Sequence, residues 1–275
     1  MSALLVALLL GAGPKEALER AIADTEHLAP PVTVAFPDSG PTTCFAFDRD
    51  TFLPLLSQVG APVAGRLQTE DELLHCAGSR VPKNEACELR ACGTFPLGDR
   101  VVVMLSVKWR DNLPNPEHFN SRETVFALVF SKAGRLIDTT DVSASLWGTG
   151  TIAADGSIRF RTNGGDERDF GRIMPSGRVC KAPVTIEPAM TFRDAKSGET
   201  ITLARECGSW AISYRAKEGK PLQWMVLKSA DEAKGEFVTR FEPSPKPYTL
   251  QLDGEQKSLA CTNPDKTVQT FVLVP

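Results

Sequence analysis

Apolar and polar positions alternate most regularly between residues 100 and 163. Val101, Val103, Leu105, Val107 and Trp109 fall on one face of an extended segment. The opposite face runs Val102, Met104, Ser106, Lys108 and Arg110, turning polar toward its end. A period of two marks a strand, here one that leaves a core toward solvent. Residues 124–130 are apolar at both parities and rich in Val and Phe, and Ala133-Gly134 stops the run. This predicts a central strand covered on both sides. Between the two, residues 111–122 carry Pro114, Pro116 and three Asn without periodicity, which predicts a loop.

Turn chemistry sets the expected register. A three-residue loop at Lys132-Ala133-Gly134 places Phe130 opposite Leu136 and Val129 opposite Ile137. A second at Ala154-Asp155-Gly156 places Ile152 opposite Ile158, with Phe160 on their side and Arg159 and Arg161 in solvent. A two-residue Asp-Gly turn would instead oppose Ile152 to Arg159, so the pattern selects the longer loop with Gly156 in the left-handed region.

From Arg178 onward the alternation resumes in short pieces. Ile201, Leu203 and Cys207 share a parity, then Trp210, Ile212 and Tyr214, then Leu222, Trp224 and Val226. Phe237, Thr239 and Phe241 follow, then Tyr248, Leu250 and Leu252, then Leu259 and Cys261, with Val268, Val272 and Val274 last. Seven or eight short strands at this spacing signal a sandwich or barrel, read here as sandwich-like. Helical periodicity is confined to the first part of the chain. Phe52, Leu55, Leu56 and Val59 predict a helix over residues 50–60, with Asp50 as cap and Gly60 as stop. Thr69 and Glu72 form a capping box for a second helix over residues 69–78. The expected fold is mainly β, antiparallel meander and sandwich-like sheets, with a small helical N-terminal part. Residues 30–165 form the first body and residues 178–275 the second, with a polar, glycine-rich boundary near residues 164–180.

The opening apolar run of about ten residues, within Met1–Ala12, is too short to span a bilayer and fits the h-region of a secretory signal peptide. Residues 1–23 are therefore read as a leader, although no basic residue precedes the run and the cleavage position is not fixed by the residues. The expected location is secreted or periplasmic, with no integral membrane span in the mature chain. A core helix in a cytoplasmic protein is the alternative. Residues 14–28 read either as a short helix or as the tail of that leader.

Seven cysteines spread through such a chain predict disulfides, with an odd thiol left over. Cys207 and Cys261, both at apolar parities, are the preferred pair; Cys44, Cys76, Cys87 and Cys92 supply two more bridges. Cys87 and Cys92 lack a matching Cys or His pair elsewhere and rank below disulfides as a zinc site.

The net charge of −3 and the absence of a basic run exclude a nucleic-acid or anionic-membrane binder on electrostatic grounds. No nucleotide, metal or catalytic signature is present, and no cofactor is expected. Three histidines exist, His27, His75 and His118. His118, with Glu117 and Asp111, is the weak catalytic candidate, because loops on rigid sheets carry function. Asp166, Glu167 and Asp169 beside Gly164-Gly165 read as a solvated loop rather than a calcium site. Trp109, Trp147, Trp210 and Trp224 line a sugar-binding face or, more simply, pack in the core. The resulting expectation is a non-catalytic binding or envelope-associated module acting on a protein or glycan through loops 111–122 and 164–177. An extracytoplasmic hydrolase with carboxylates converging from separate loops is the alternative.

Overall fold

The computed structural model describes residues 13–34, 45–46, 55–56, 58, 85–111, 121–144 and 148–275, with backbone alone at 45–46, 85–88, 109–111, 121–122 and 144. The helix expected over residues 69–78, residues 112–120 of the expected 111–122 loop, and Cys44, Cys76, His75, Glu117, His118 and Trp147 lie outside the described residues, while Asp111 and residues 121–122 of that loop belong to strands. The chain divides into two units, Met1–Pro183 and Val184–Pro275.

The N-terminal unit is a ten-stranded antiparallel sheet. Its strands are β1 (Val32–Val34), β2 (Phe45–Ala46), β3 (Glu85–Leu97), β4 (Arg100–Asp111), β5 (Ser121–Ser131), β6 (Leu136–Ala144), β7 (Gly148–Ile152), β8 (Ser157–Thr162), β9 (Glu167–Ile173) and β10 (Val179–Lys181). The order runs from β10 to β2 in sequence, and β1 pairs with β7. Helix α1 (Pro14–Asp24) precedes the first strand.

The double-sided apolar run of β5 has the predicted consequence. Phe126, Leu128 and Phe130 join a core layer with Ala17, Leu18 and Ala21 of α1 and with Leu55 and Leu56. Val125, Ala127 and Val129 join a second layer with Val32, Val34, Phe95 and Ile152. β4 also contributes to both layers, and Ser106 is fully buried, so this strand does not leave the core where its polar side begins. The hydroxyl of Ser106 donates to the Glu123 carboxylate on the neighbouring strand, which lets that position stay inside.

Phe130 pairs with Leu136 as the turn chemistry requires. Val129, however, faces Asp138 rather than Ile137, because an irregularity between Val129 and Phe130 shifts the register. Ile152 pairs with Ile158, Gly156 has φ +86°, and Arg159 and Arg161 are exposed. Residues 164–177 are not a loop: they hold β9 and the tight turns at its two ends.

The C-terminal unit is an up-and-down barrel rather than a sandwich. Its eight strands are β11 (Met190–Arg193), β12 (Thr200–Glu206), β13 (Ser209–Arg215), β14 (Gln223–Asp231), β15 (Glu236–Phe241), β16 (Pro247–Leu252), β17 (Ser258–Thr262) and β18 (Val268–Leu273). Each pairs with its sequence neighbour, and β18 returns to β11 through Phe192↔Leu273 and Arg193↔Val272. Closure removes both sheet edges. Every strand sends alternate residues inward, and Phe192, Ile201, Leu203, Phe237, Leu250 and Phe271 are essentially inaccessible. Two parities differ from the expected ones. In β14 the buried residue is Met225, while Trp224 and Val226 are half-buried. In β18 Phe271 is buried, and Val268 and Val272 are exposed.

Candidate ligand-binding cavity

Sequential antiparallel strands alternate their connections between the two ends of the barrel. The β12–β13 turn belongs to one end. Cys207 and Gly208, with φ of 52° and 74°, form a two-residue hairpin of the kind that needs two left-handed residues. Above that turn the interior is filled. Trp210 packs edge-on against Phe237 with centroids 5.1 Å apart, its Nε1–H donates to Glu232 Oε1 at 3.0 Å, and the Arg205 guanidinium lies 4.8 Å from its ring.

The opposite end, where β11–β12, β13–β14, β15–β16 and β17–β18 are joined, is open. It holds a cavity of about 900 Å³. Ile201, Met225, Phe241, Phe271, Pro247 and Pro264 give it apolar walls; Glu199, Tyr214, Gln223, Tyr248, Cys261, Asn263 and Gln269 add polar groups, with Lys246 and Asp265 among the charged ones.

Local sequence fixes Glu199 at this mouth. Asp194 Oδ1 accepts the backbone N–H of Lys196 at 2.8 Å and of Ser197 at 2.7 Å, and Gly198 takes φ +74°, closing the turn into β12. The Glu199 carboxylate then receives three neutral donors. Tyr214 O–H donates to Oε1 at 2.6 Å, Ser197 Oγ lies 3.0 Å from Oε2, and Gln269 Nε2–H donates to the same oxygen. Burial pushes this carboxyl up, but the hydrogen bonds outweigh it, and Glu199 lies below the usual carboxylate range. Burial and the adjacent Glu199 push the Tyr214 phenol far up. The same two causes push the Cys261 thiol up to about 11. Tyr214, Phe241 and Tyr248 form a row of rings, with centroids 5.3 and 5.0 Å apart and planes inclined by 69° and 80°.

Cys261 is a buried, protonated thiol, and none of the three histidines of the chain falls in residues 184–275. Among the described residues no group of three or more His, Cys, Asp or Glu is placed to hold a metal ion.

The cavity is separate from the sequence-expected candidates Asp111, Glu117 and His118, whose side chains the structure does not describe. Asp111 ends β4, and its side chain, Glu117 and His118 lie outside the described residues. Cys207 and Cys261 are not bonded to each other: Cys261 is a free thiol, and Cys207 is disulfide-bonded. The physical reason is their position, since Cys207 sits exposed in a hairpin turn while Cys261 points into the barrel from β17. Cys92 and Cys180 are also disulfide-bonded, and Cys180 was not among the expected partners. Of the tryptophans, Trp210 packs inside the barrel and Trp224 is half-buried on β14.

No sequence motif marks Glu199, Gln223, Asn263 and Gln269. Their signal was polar identity at or just beyond strand ends, in step with the inward parity, where an open barrel mouth tolerates polar groups. No protein-family model matches the chain, and no curated protein matches its sequence.

Proposed function

We propose that this chain is a non-catalytic, extracytoplasmic binding protein whose C-terminal barrel holds one small, largely apolar molecule. The carrying observation is the cavity of about 900 Å³ at the open barrel end, where aliphatic and aromatic walls alternate with convergent polar groups. Its size and lining match those of small-molecule sites, and eight-stranded barrels are wide enough for one such ligand. A concave cup of this kind favours a small molecule over the protein or glycan partner expected from surface loops. Disulfide-bonded Cys92, Cys180 and Cys207 support an oxidising compartment, as does the leader-like start. Among the described residues no helix is long and apolar enough to cross a membrane.

The neutral fluorophore N-phenyl-1-naphthylamine tests the reading. Titration into the full chain is expected to give a saturable, one-site rise in emission. Gln223, exposed on the cavity rim, is the point at which to block entry. Gln223→Trp should remove the rise while leaving the melting temperature within a few degrees of wild type. Absence of a rise in wild type, or an unchanged titration in Gln223→Trp, overturns the proposal.

A further inference from the structure

We propose that the molecule taken by this cavity is an amphipathic organic cation, an alkyl- or arylammonium, whose charged group sits beside the Glu199 carboxylate along the Tyr214–Phe241–Tyr248 row. The inference rests on the reading of the barrel as a small-molecule cup and names the chemistry of its occupant.

Three observations converge. The first is the charge of the lining. Glu199 and Asp265 are carboxylates, Lys246 is the one ammonium among the lining residues, and Asp194 stands behind Glu199 close enough to act on it. Lys246 is the least of the influences that lower the Asp265 carboxyl, and the two lining carboxylates outnumber the one ammonium.

The second is how Glu199 is held. Its partners are a phenol, a primary amide and a hydroxyl, all neutral, and no ion pair to it occurs among the described residues. The charge is fixed in place but not neutralised. In a half-buried setting of reduced dielectric, a ligand cation at hydrogen-bond or van der Waals distance gains from it. An anionic ligand is repelled there, and a neutral one displaces water from the carboxylate without replacing that solvation.

The third is the set of rings. Tyr214, Phe241 and Tyr248 are inclined steeply to one another, at 69° and 80°, so they stand as walls of a corner rather than as a flat stack. Ring faces attract alkylammonium groups, and a carboxylate beside such a corner completes the usual complement for one. Beyond this polar corner, Ile201, Met225 and Phe271 offer an apolar wall for the remainder of the ligand.

The test uses three probes with the same eight-carbon chain, octyltrimethylammonium, octanoate and 1-octanol. Each displaces N-phenyl-1-naphthylamine from the full-length protein below its micellar range. The expected order is the cation first, at about one tenth of the octanol concentration or less, with octanoate weakest. Glu199→Gln should erase the preference for the cation and leave octanol unchanged. Phe241→Leu, which leaves the carboxylate in place, should weaken the cation more than octanol.

If the fluorophore and octanol bind while the cation shows no advantage, or octanoate binds best, the charge assignment is wrong and the cavity reading stands. The assignment also falls if the preference survives both variants. If neither the fluorophore nor octanol binds, the cavity reading itself is wrong, and this inference falls with it.

Discussion

Gly150→Val is expected to prevent the N-terminal unit from folding, although valine is among the best strand residues. A Cβ at Gly150 would lie 1.8 Å from the carbonyl oxygen of Val142, a backbone atom that cannot swing aside. Gly150 sits in the middle of β7, paired with Val34 of β1 and Phe160 of β8. Among the described residues β6 pairs with β7 at Ala144↔Gly148, and the Val142 backbone then lies against Gly150 of that strand. Such close backbone approach in a strand is what glycine permits. Intrinsic strand preference spans about 1 kcal/mol and cannot offset a clash of this kind. The expected cost exceeds about 4 kcal/mol, the exceptional end for a single substitution. Hydrogen exchange of the β4 and β5 amides reads it directly, with protection lost in the variant. Gly164→Ala is the control, since its new Cβ meets only Thr162 Oγ1 at 3.7 Å, and it should behave as wild type. A protected, normally melting Gly150→Val protein would contradict the described crossing of β6 and β7.

Removal of helix α1 is expected to have the second-largest effect. Ala17, Leu18 and Ala21 are buried at 0%, 2% and 0% exposure against Phe126, Leu128 and Phe130 of β5 and Val103 of β4. Gly134, in the β5–β6 turn, lies so close to the start of the helix that a Cβ there would stand 2.2 Å from the Pro14 carbonyl. Leu18→Ala alone should cost about 2–5 kcal/mol, and a chain beginning at Asp24 should lose at least that much. Chemical denaturation of the two proteins beside wild type measures it through the shift in midpoint. The comparison bears on processing: cleavage after Ala23, at the end of the leader read from the sequence, would discard core side chains. A chain from Asp24 as stable as the full one would show that α1 contributes nothing to the sheet.

Much of the sheet was legible because its constraints are local. The apolar residues of β5 at both parities required cover on two faces, and they have it. Gly134 and Gly156 fixed two turns, and with them the Phe130–Leu136 and Ile152–Ile158 pairs. The Val129 register was not legible, since a bulge leaves no mark in a pattern of apolar residues. In β14, Leu222, Trp224 and Val226 compete with Met225 and Leu227, and periodicity cannot rank two apolar parities. Closure of the barrel decides it, because one face of each strand must line the interior.

The site itself was the least legible part. Glu199 and Gln269 lie at opposite ends of the barrel sequence and meet only because β18 returns to β11. Disulfide partners were hidden for the same reason: Cys207 and Cys261 share an apolar reading, yet one ends in a turn and the other faces the cavity.

Methionine methyl resonances test the central claim, that the barrel cavity is the binding site, most directly. The chain has five methionines, and Met225 is the one that lines the cavity. Met104 and Met174 are buried in the N-terminal unit, and Met190 begins β11 of the barrel without lining the cavity. With ¹³C-labelled methionine methyls and N-phenyl-1-naphthylamine, the Met225 signal should move saturably with added fluorophore while those of Met104 and Met174 stay in place. Movement of Met104 or Met174 with Met225 unchanged, or no movement at all, would contradict the account.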